Sequence, residues 1–382
     1  MEDPRKTKSA EISARLKAEI LGGKFDGSRK LPSEHQLMRR FSVARETVRA
    51  ALRELESGRL LDRKPGCGTF LADRAAAAVA HRFAVIMPDG YYSFYSRIAR
   101  GIEAASRERG WSVMSVSLGS GNMRERAIKA ADFAGMCVRE KVGGVFFQPL
   151  QFMRDGEKFN RAILRIFDDA RIPVVLIDSD ISAPPMRSEY DLVGIDNTNA
   201  GYVLARHVIS RGAKKVWYFS TPLPAPASLK RANGVGVAVW EAGLKWTREN
   251  IFFSAPDDSR AIRRLFTGRN RPDAIIAVND FVAAQLLKTL KAIGIDVPGD
   301  VLLAGVNGDE IAEDSTPALT TLVQPCHEIG TTAVELMMRR VGGATPAPCK
   351  VLLDTHLVVR DSTAANIKDL NIRKQPNKES MK

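Results

Sequence analysis

The chain has 382 residues, of which 45% are hydrophobic and 26% are charged. This length predicts two or three compact units, and the composition is ordinary for a globular protein. The four cysteines lie far apart without a CxxC pair and the five histidines are scattered, so neither a disulfide framework nor a metal site is expected. The beginning of the chain lacks the apolar stretch of a secretory signal, and no apolar run of about 18 residues exists, so a cytoplasmic protein without a membrane span is expected.

The formal net charge of +13 is unevenly distributed along the chain. Residues 1–82 contain 18 basic and 11 acidic residues, and residues 362–382 contain five basic and two acidic residues. A basic end attached to a near-neutral body is typical of a protein that contacts a polyanion with one part only. A solvated basic surface would give the same distribution, so the charge alone leaves both interpretations open.

Three helices are predicted within the first sixty residues. Apolar residues recur every fourth position from Ile12 to Ile20, and Gly22 stops that first helix. Ser33 and Gln36 fit a capping box at the start of a second helix, because the serine hydroxyl can accept a hydrogen bond from a free N–H there. A third helix is expected from about residue 44 to residue 57.

The third predicted helix has an apolar face and a basic face. Arg45, Arg49 and Arg53 follow one another at four-residue spacing, on a different arc from the apolar residues at 48, 51, 52 and 55. A helix of this kind can lie in the major groove of DNA, where arginine can bond to guanine with two hydrogen bonds. A solvated helix face with pairs between Glu46 and the arginines is the alternative.

A hairpin is predicted after the third helix. The segment 60–64 alternates in polarity, the segment Pro65–Gly68 forms a tight turn, and the chain returns through Thr69–Leu71. Arg63 and Lys64 lie beside glycines, whose lack of a side chain lets the backbone approach phosphates. The hairpin therefore predicts the wing of a winged helix-turn-helix.

Together these motifs resemble the GntR-type winged helix-turn-helix over about residues 10–72. The shared pattern is LPSE…L…F.V.RETVR.AL..LE, followed by a glycine-rich GTF turn. Ala44 departs from it, because the family usually has serine there, and Ser42 is the available substitute as a helix cap. The DNA-contact positions implied by the resemblance and by the wing are Ser33, Glu34, Arg45, Thr47, Arg49, Arg63, Lys64, Gly66 and Gly68.

The rest of the chain predicts a two-lobed α/β body. Residues 1–72 form the head, and the alanine-rich segment 73–81 is a linker that is either helical or a loose tether. From residue 82 onward short apolar strands alternate with amphipathic helices, which implies parallel sheets with helices on both faces. Ligands of such sheets bind beyond the carboxyl ends of the strands. Residues 362–382 are polar, basic and without periodicity, and a disordered tail is expected.

Six motifs of the body, in order, resemble the LacI/GalR-type effector domain, which is similar to periplasmic sugar-binding proteins. They include GYYSFYSRIARGIEAA, PVVLIDSD, GIDNTNAG and KRANGV. The resemblance implies two lobes joined by three crossovers, with one lobe at about 82–193 and 325–352 and the other at about 194–324 and 353–361. The effector contacts that it implies are Tyr92, Phe94, Tyr95, Asp178, Arg231, Asn279 and Asn307.

The implied contacts suit a small polar ligand such as a sugar. Aromatic faces stack on C–H groups, amides and carboxylates bond to hydroxyls, and arginine can fork onto hydroxyls, a carboxylate or a phosphate. Two positions depart from the family: Asn307 replaces a frequent aspartate, and Tyr92 replaces a frequent asparagine. As an alternative, Asp178, Asn279 and Asp280 would be caps and turn formers at strand ends.

The sequence suggests three candidate functions. The first is a ligand-responsive transcriptional regulator, resembling bacterial arabinose-type repressors, that binds a pseudo-palindromic DNA operator as a homodimer and responds to a sugar-like effector. The second is an enzyme, but the sequence has no P-loop and no catalytic constellation of histidines, and no cofactor is expected. The third is the solute-binding protein of a transporter, which the winged head and the missing signal argue against.

Overall fold

The computed structural model describes most of the chain. The described residues are 8–21, 25, 30–57, 60–64, 68–71, 82–88, 93–119, 122–151, 153, 155–182, 185–267, 270–342 and 347–364. Two expected contact residues, Gly66 and Tyr92, and the linker 73–81 lie outside them.

The head consists of three helices and a two-stranded antiparallel hairpin. Its elements are α1 (Lys8–Leu21), α2 (Glu34–Phe41), α3 (Arg45–Ser57), β1 (Leu61–Lys64) and β2 (Gly68–Leu71). Its core contains the apolar faces of all three helices together with Leu61 and Leu71 of the hairpin. The capping box predicted for the second helix is confirmed, since Ser33 accepts from the backbone of Gln36 and the Gln36 side chain accepts from the backbone of Ser33.

The turn between α2 and α3 is made without the expected serine cap. Ser42 has a left-handed backbone with φ of 52° and ends α2 by donating its N–H to the Met38 carbonyl. It therefore belongs to the end of the second helix. The carbonyl of Ala44 accepts the N–H groups of Thr47 and Val48, so backbone bonds alone form the first turn of α3.

The first lobe of the body is built on a six-stranded parallel sheet. Its strands are β3 (Arg82–Ile86), β4 (Ser112–Ser115), β5 (Gly144–Phe147), β6 (Val174–Ile177), β7 (Asp191–Ile195) and β13 (Lys350–Leu353). Across the sheet they lie in the order β13-β7-β6-β5-β3-β4. Its helices are α4 (Ser93–Glu108), α5 (Met123–Arg139), α6 (Gly156–Asp169) and α12 (Cys326–Val341).

The second lobe is built on a second six-stranded sheet. The strands are β8 (Val216–Ser220), β9 (Ile251–Phe253), β10 (Ala274–Ala277), β11 (Leu302–Asn307), β12 (Thr320–Val323) and β14 (His356–Val358). Across the sheet they lie in the order β14-β12-β11-β10-β8-β9, and only β14 runs antiparallel to its neighbour. The helices are α7 (Asn197–Ser210), α8 (Pro226–Glu241), α9 (Ser259–Phe266), α10 (Asp280–Ala292) and α11 (Glu310–Asp314).

The chain passes between the two sheets three times, after β7, after β12 and after β13. The first passage follows Ile195, two residues beyond the expected boundary, because β7 continues to that residue. Each passage is only one or two residues long, so the carboxyl ends of β7, β12 and β13 lie directly beside the other lobe. The two sheets therefore present their ligand-binding edges to a common cleft.

The expectation of a disordered tail from residue 362 is wrong at its beginning. A short 3-10 helix spans Asp361–Thr363, and the side chains of Ser362 and Thr363 are fully buried. Ser362 Oγ donates to the Leu303 carbonyl at 2.6 Å and accepts the Thr320 N–H at 2.8 Å. Serine and threonine made this segment look like a polar tail, but the Ser362 hydroxyl completes the hydrogen bonding of β11 and β12. Residues 365–382 lie outside the described part.

Within the described residues, no helix has both the length and the apolar character needed to cross a membrane.

Candidate DNA-binding surface and effector cavity

Arginines of the third helix and of the hairpin meet at one carboxylate in the head. Glu34 Oε2 lies 2.9 Å from Arg45 Nε, and the same carboxylate lies 3.3 Å from nitrogen atoms of Arg49 and of Arg63. The hydrogen bond from Arg45 is the largest cause that lowers the pKa of Glu34, although partial burial opposes it. Glu34 thus holds two arginines of α3 and one of the wing in a fixed arrangement. We call Glu34, Arg45, Arg49 and Arg63 the head cluster.

The arginines of the head cluster remain accessible. The side chains of Arg45 and Arg49 are 62% and 42% exposed, which leaves N–H groups free to face solvent. Glu46 lies 3.7 Å from Arg49 and 3.9 Å from Arg53, so the intrahelical pairs of the alternative interpretation are also present. Exposed pairs of this kind are weak and exchange readily for phosphate contacts. The third helix therefore carries both an exposed arginine surface and intrahelical ion pairs.

The remaining predicted head residues lie around this cluster. Ser33 caps α2, and Thr47 is half-buried in the first turn of α3. Lys64 lies opposite Gly68 in the hairpin, with its amine 5.6 Å from the centre of the Phe70 ring. Lys30 approaches the same ring at 5.5 Å, a contact that was not predicted. The hairpin is tied to the start of α2, since the N–H of Leu31 donates to the Thr69 carbonyl.

A cavity with about 390 Å³ of empty space lies between the carboxyl ends of the two sheets. Six of the seven predicted effector contacts line it, whereas Tyr92 lies outside the described residues. The lining residues that were predicted are Phe94, Tyr95, Asp178, Arg231, Asn279 and Asn307. Gln151, Gln324, Ala225, Ala227 and Val278 also line the cavity and were not predicted.

Arg231 is held in place by the protein. Its two terminal nitrogens donate to the side chain of Asn197 and to the Val278 carbonyl, the latter at 3.0 Å. Each terminal nitrogen carries a second N–H, and the buried Nε has no partner among the described residues. N–H groups of Arg231 therefore remain for a ligand, and the expectation that Arg231 binds one stays a prediction.

Two glycines determine where Arg231 lies. A Cβ on Gly201 of α7 would lie 1.9 Å from the Arg231 carbonyl, and a Cβ on Gly234 of α8 would lie 1.9 Å from the Thr198 carbonyl. The two helices therefore contact each other backbone to backbone, which no residue other than glycine allows. This close contact brings the start of α8, and with it Arg231, over the ends of the strands.

Asp178 is the acidic group of the cavity. It follows β6 with a left-handed φ of 65°, and a Cβ on Gly194 would lie 3.0 Å from its carbonyl oxygen. Burial raises the pKa of Asp178 to about 6, while the charge of Arg231 and a hydrogen bond from Tyr95 oppose the rise. Arg231 and Asp178 give the cavity one group of each charge.

Asn279 and Asn307 of the second lobe make different hydrogen bonds. Asn279 caps α10 by accepting the Val282 N–H at 2.8 Å, as the alternative interpretation predicted, and it also lines the cavity. The Asn307 amide accepts from Gln324 at 2.9 Å and donates to Asp309 at 3.2 Å. Neither residue depends on a ligand for its position.

A contact between the lobes lies at the edge of the cavity. Arg97, on α4 of the first lobe, donates to the Asn307 carbonyl of the second lobe at 2.9 Å. The same guanidinium lies 3.6 Å from the carboxylate of Asp309, whose side chain is only 6% exposed. Arg97 and Asp309 were not singled out from the sequence, because nothing in their spacing indicates that two helices of different lobes meet there.

Another carboxylate is buried beside this contact. Asp280 accepts hydrogen bonds from the Thr321 hydroxyl at 2.7 Å and from the Asp309 N–H at 2.9 Å. Burial raises its pKa to about 7. Asp280 therefore fixes the loop that carries Asn307 and Asp309, and it is not among the residues that line the cavity. Within the described residues there is no group of three or more side chains that could hold a metal ion.

Two family models match the chain. Residues 8–71 match the bacterial regulatory proteins of the gntR family, and residues 205–363 match the periplasmic binding protein-like domain. The chain therefore carries a gntR-family DNA-binding head followed by a periplasmic-binding-protein-like body, which is the layout of a transcriptional regulator.

Curated relatives match this chain over most of its length. The arabinose metabolism transcriptional repressor of Halalkalibacterium halodurans is 27% identical over 377 residues, covering 94% of this chain and 97% of the relative. The HTH-type transcriptional regulator CelR of Thermobifida fusca is 28% identical over 272 residues, covering 70% of this chain and 76% of the relative.

A solved structure of a transcriptional regulator CelR–cellobiose complex has the same fold. It superimposes with a TM-score of 0.64 at 24% identity, covering 94% of this chain and all of that chain. A second structure, the transcription regulator CcpA of Lactococcus lactis, covers 74% of this chain with a TM-score of 0.63.

Proposed function

We propose that this protein is a transcriptional repressor whose affinity for a DNA operator is switched by a small polyhydroxylated effector in the cavity between the lobes. The single observation that carries the proposal is the position of six predicted effector contacts around one cavity, in a chain whose head carries an exposed arginine surface. The named relatives, which are repressors and regulators, support this function.

The head is suited to read DNA with α3 and the wing. Arg45 and Arg49 lie on the exposed side of α3, and Arg63 extends the same surface onto the hairpin. A helix with such a surface can enter the major groove, while the wing contacts the backbone beside it. The protein would act in the cytoplasm, where bacterial DNA is found.

The cavity is suited to a ligand with several hydroxyl groups. Among the described residues that line it, the buried polar atoms without a partner include two donors, Arg231 Nε and Gln151 Nε2, and one acceptor, Gln324 Oε1. Hydroxyls act as donors and acceptors at once, so they can satisfy both kinds of atom. The rings of Phe94 and Tyr95, whose centres lie 3.9 Å apart at an interplanar angle of 34°, supply the apolar wall that the C–H face of a sugar prefers. A sugar or a sugar derivative fits these groups best.

The body is suited to form a homodimer through α8. Leu229, Val237 and Trp240 are 37%, 45% and 76% exposed and fall within one arc of that helix. Large apolar side chains that share a solvent-facing arc are typical of a protein interface. A dimer would present two heads to a pseudo-palindromic operator.

In vitro selection from random double-stranded DNA tests the proposal. The full chain should enrich a pseudo-palindromic sequence, and Arg45→Ala should weaken binding to it by about 1–3 kcal/mol and relax the preference at one base. Arg124→Ala, an exposed arginine of the body, serves as the matched control and should bind as the unaltered protein does. Failure of the full chain to enrich any sequence would contradict the proposal.

A further inference from the structure

A second cavity adjoins the effector cavity within the first lobe. It has about 340 Å³ of empty space and lies at the carboxyl ends of β3, β4 and β5, beside the first turn of α5. It shares Tyr95 and Gln151 with the first cavity. Its other lining residues are Pro88, Leu118, Met123, Arg126, Gln148 and Leu150.

Polar atoms in the wall of this second cavity have no hydrogen-bond partner among the described residues. Gln148 is 1% exposed, and neither its amide oxygen nor its amide nitrogen bonds to a described residue. Arg126 Nε and Gln151 Nε2 are likewise buried without a partner in the described part of the chain. Buried polar atoms without hydrogen bonds are destabilising, so three such side chains around one space indicate that something polar binds there.

The wall of the second cavity carries one positive charge, that of Arg126, together with the amide groups of Gln148 and Gln151. None of its lining residues is acidic, and no carboxylate of the described residues lies within 4.0 Å of the Arg126 guanidinium. The first turn of α5 adds the positive end of a 17-residue helix. The nearby Glu125 is exposed and accepts a hydrogen bond from the Asn122 amide at 2.6 Å. Three unpaired N–H donors against one unpaired acceptor favour an anionic group with several oxygens.

We propose that the second cavity binds an anionic oxygen group, a carboxylate or a phosphate, carried by the effector. The proposal rests on the proposed function, since it extends the same effector site past Tyr95. The effector is then a sugar acid or a sugar phosphate, with its hydroxylated part in the first cavity. Arg126 binds the anion, because it is the positively charged side chain among the described residues that line this cavity, and Arg231 does not line it.

Thermal unfolding of the full chain in the presence of anions tests this assignment. Sodium phosphate and sodium gluconate are titrated separately, each against sodium chloride at matched ionic strength, so that the two kinds of anion are distinguished. We expect at least one of them to raise the Tm beyond the chloride control. Arg126→Gln should weaken the apparent affinity for that anion at least tenfold, because a charge-assisted bond of about 1.5–3 kcal/mol is lost.

Arg124→Gln is the matched control, since Arg124 is an exposed arginine of the same helix turn and does not line the cavity. It should keep the full response. Because both variants retain the basic head, any binding of the anions there contributes equally to Arg124→Gln and Arg126→Gln and cancels in the comparison. Gln148→Leu, which removes two unpaired atoms, should weaken the response as Arg126→Gln does. Should Gln148→Leu fail to fold, the half-exposed Arg126 still provides the test.

Two results would overturn the proposal. The first is that neither anion stabilises the protein more than chloride does, and the second is an equal response in Arg126→Gln and Arg124→Gln. Binding of the selected operator is measured on the same samples. Intact operator binding with no anion response refutes the second cavity alone, whereas loss of operator binding in the unaltered protein refutes the proposed function.

Discussion

Removal of the Glu34 carboxylate should change how the head discriminates between DNA sequences. Glu34 holds Arg45, Arg49 and Arg63, so Glu34→Gln releases three arginines from one fixed arrangement and removes one negative charge from the surface. Freed arginines can reach phosphates of any sequence. We therefore expect non-specific binding to become tighter and specific binding to gain less or to weaken.

The size of the effect follows from the charge. One additional phosphate contact makes the slope of log K against log salt steeper by about 0.9, which corresponds to about eightfold tighter non-specific binding at 0.1 M salt. Specific binding depends on the positions of the arginines, so the ratio of specific to non-specific affinity should fall by about tenfold. Since the pairs are partly exposed, each contributes only about 0.2–1 kcal/mol, and the head should still fold.

Fluorescence anisotropy at several salt concentrations measures both quantities, with the selected operator and a scrambled duplex. Glu54→Gln is the matched control, because Glu54 is an exposed residue of α3 about 180° around the helix from Arg45. It should leave the ratio of specific to non-specific affinity unchanged. An unchanged salt slope and an unchanged ratio in Glu34→Gln would refute the role given to the head cluster.

Further predictions concern the body. Arg97→Met should weaken effector binding about 10- to 100-fold in calorimetry, since it removes a charge-assisted bond between the lobes. Arg100→Met, on the exposed side of the same helix, is the control and should leave the affinity unchanged. Equal affinities of the two variants for the effector would contradict the interlobe role of Arg97. Asp280 has a folded-state pKa of about 7, above its ordinary value near 4, so its contribution to stability is present at low pH and is lost as the pH rises from about 4 to 7. Asp280→Asn should therefore flatten the Tm profile across that window, and an unaltered profile would contradict the burial argument. Gly201→Ala should displace α8 and abolish effector binding while leaving operator binding intact, and normal effector affinity would show that the helices can separate without effect. Trp240→Lys should convert the dimer to a monomer in sedimentation experiments, and a persistent dimer would move the interface elsewhere.

The architecture was predictable from the sequence because its signals are local. The capping box of Ser33 depends on a three-residue spacing, and buried parallel strands such as β6 are continuous apolar runs. The predicted alternation of strands and helices is confirmed, and so is the pairing of a DNA-binding head with a two-lobed body. Short strands such as β9 and β14 were not predicted, because three residues carry too little pattern to distinguish them from loops.

The chemistry of the cavity was only partly predictable, since it depends on contacts between distant residues. Asp178 and Asn307 follow strands and were found by that position. By contrast, Arg231 donates to the side chain of Asn197, and Gln324 donates to the side chain of Asn307. No spacing in the sequence indicates such pairs. The orphaned amide of Gln148 is of the same kind, because only the folded chain shows that it has no partner.

The central claim is that occupation of the cavity changes the affinity of the head for DNA. The direct measurement is a titration of the selected operator with the full chain, with and without the effector identified by thermal shift, in the unaltered protein and in Arg231→Met. Because a ligand shifts an equilibrium only by its differential affinity, the effector should change the operator affinity by about 5- to 150-fold in the unaltered protein. Arg231→Met should bind the operator normally and show no response. An effector that binds the body without any change in operator affinity would contradict the account.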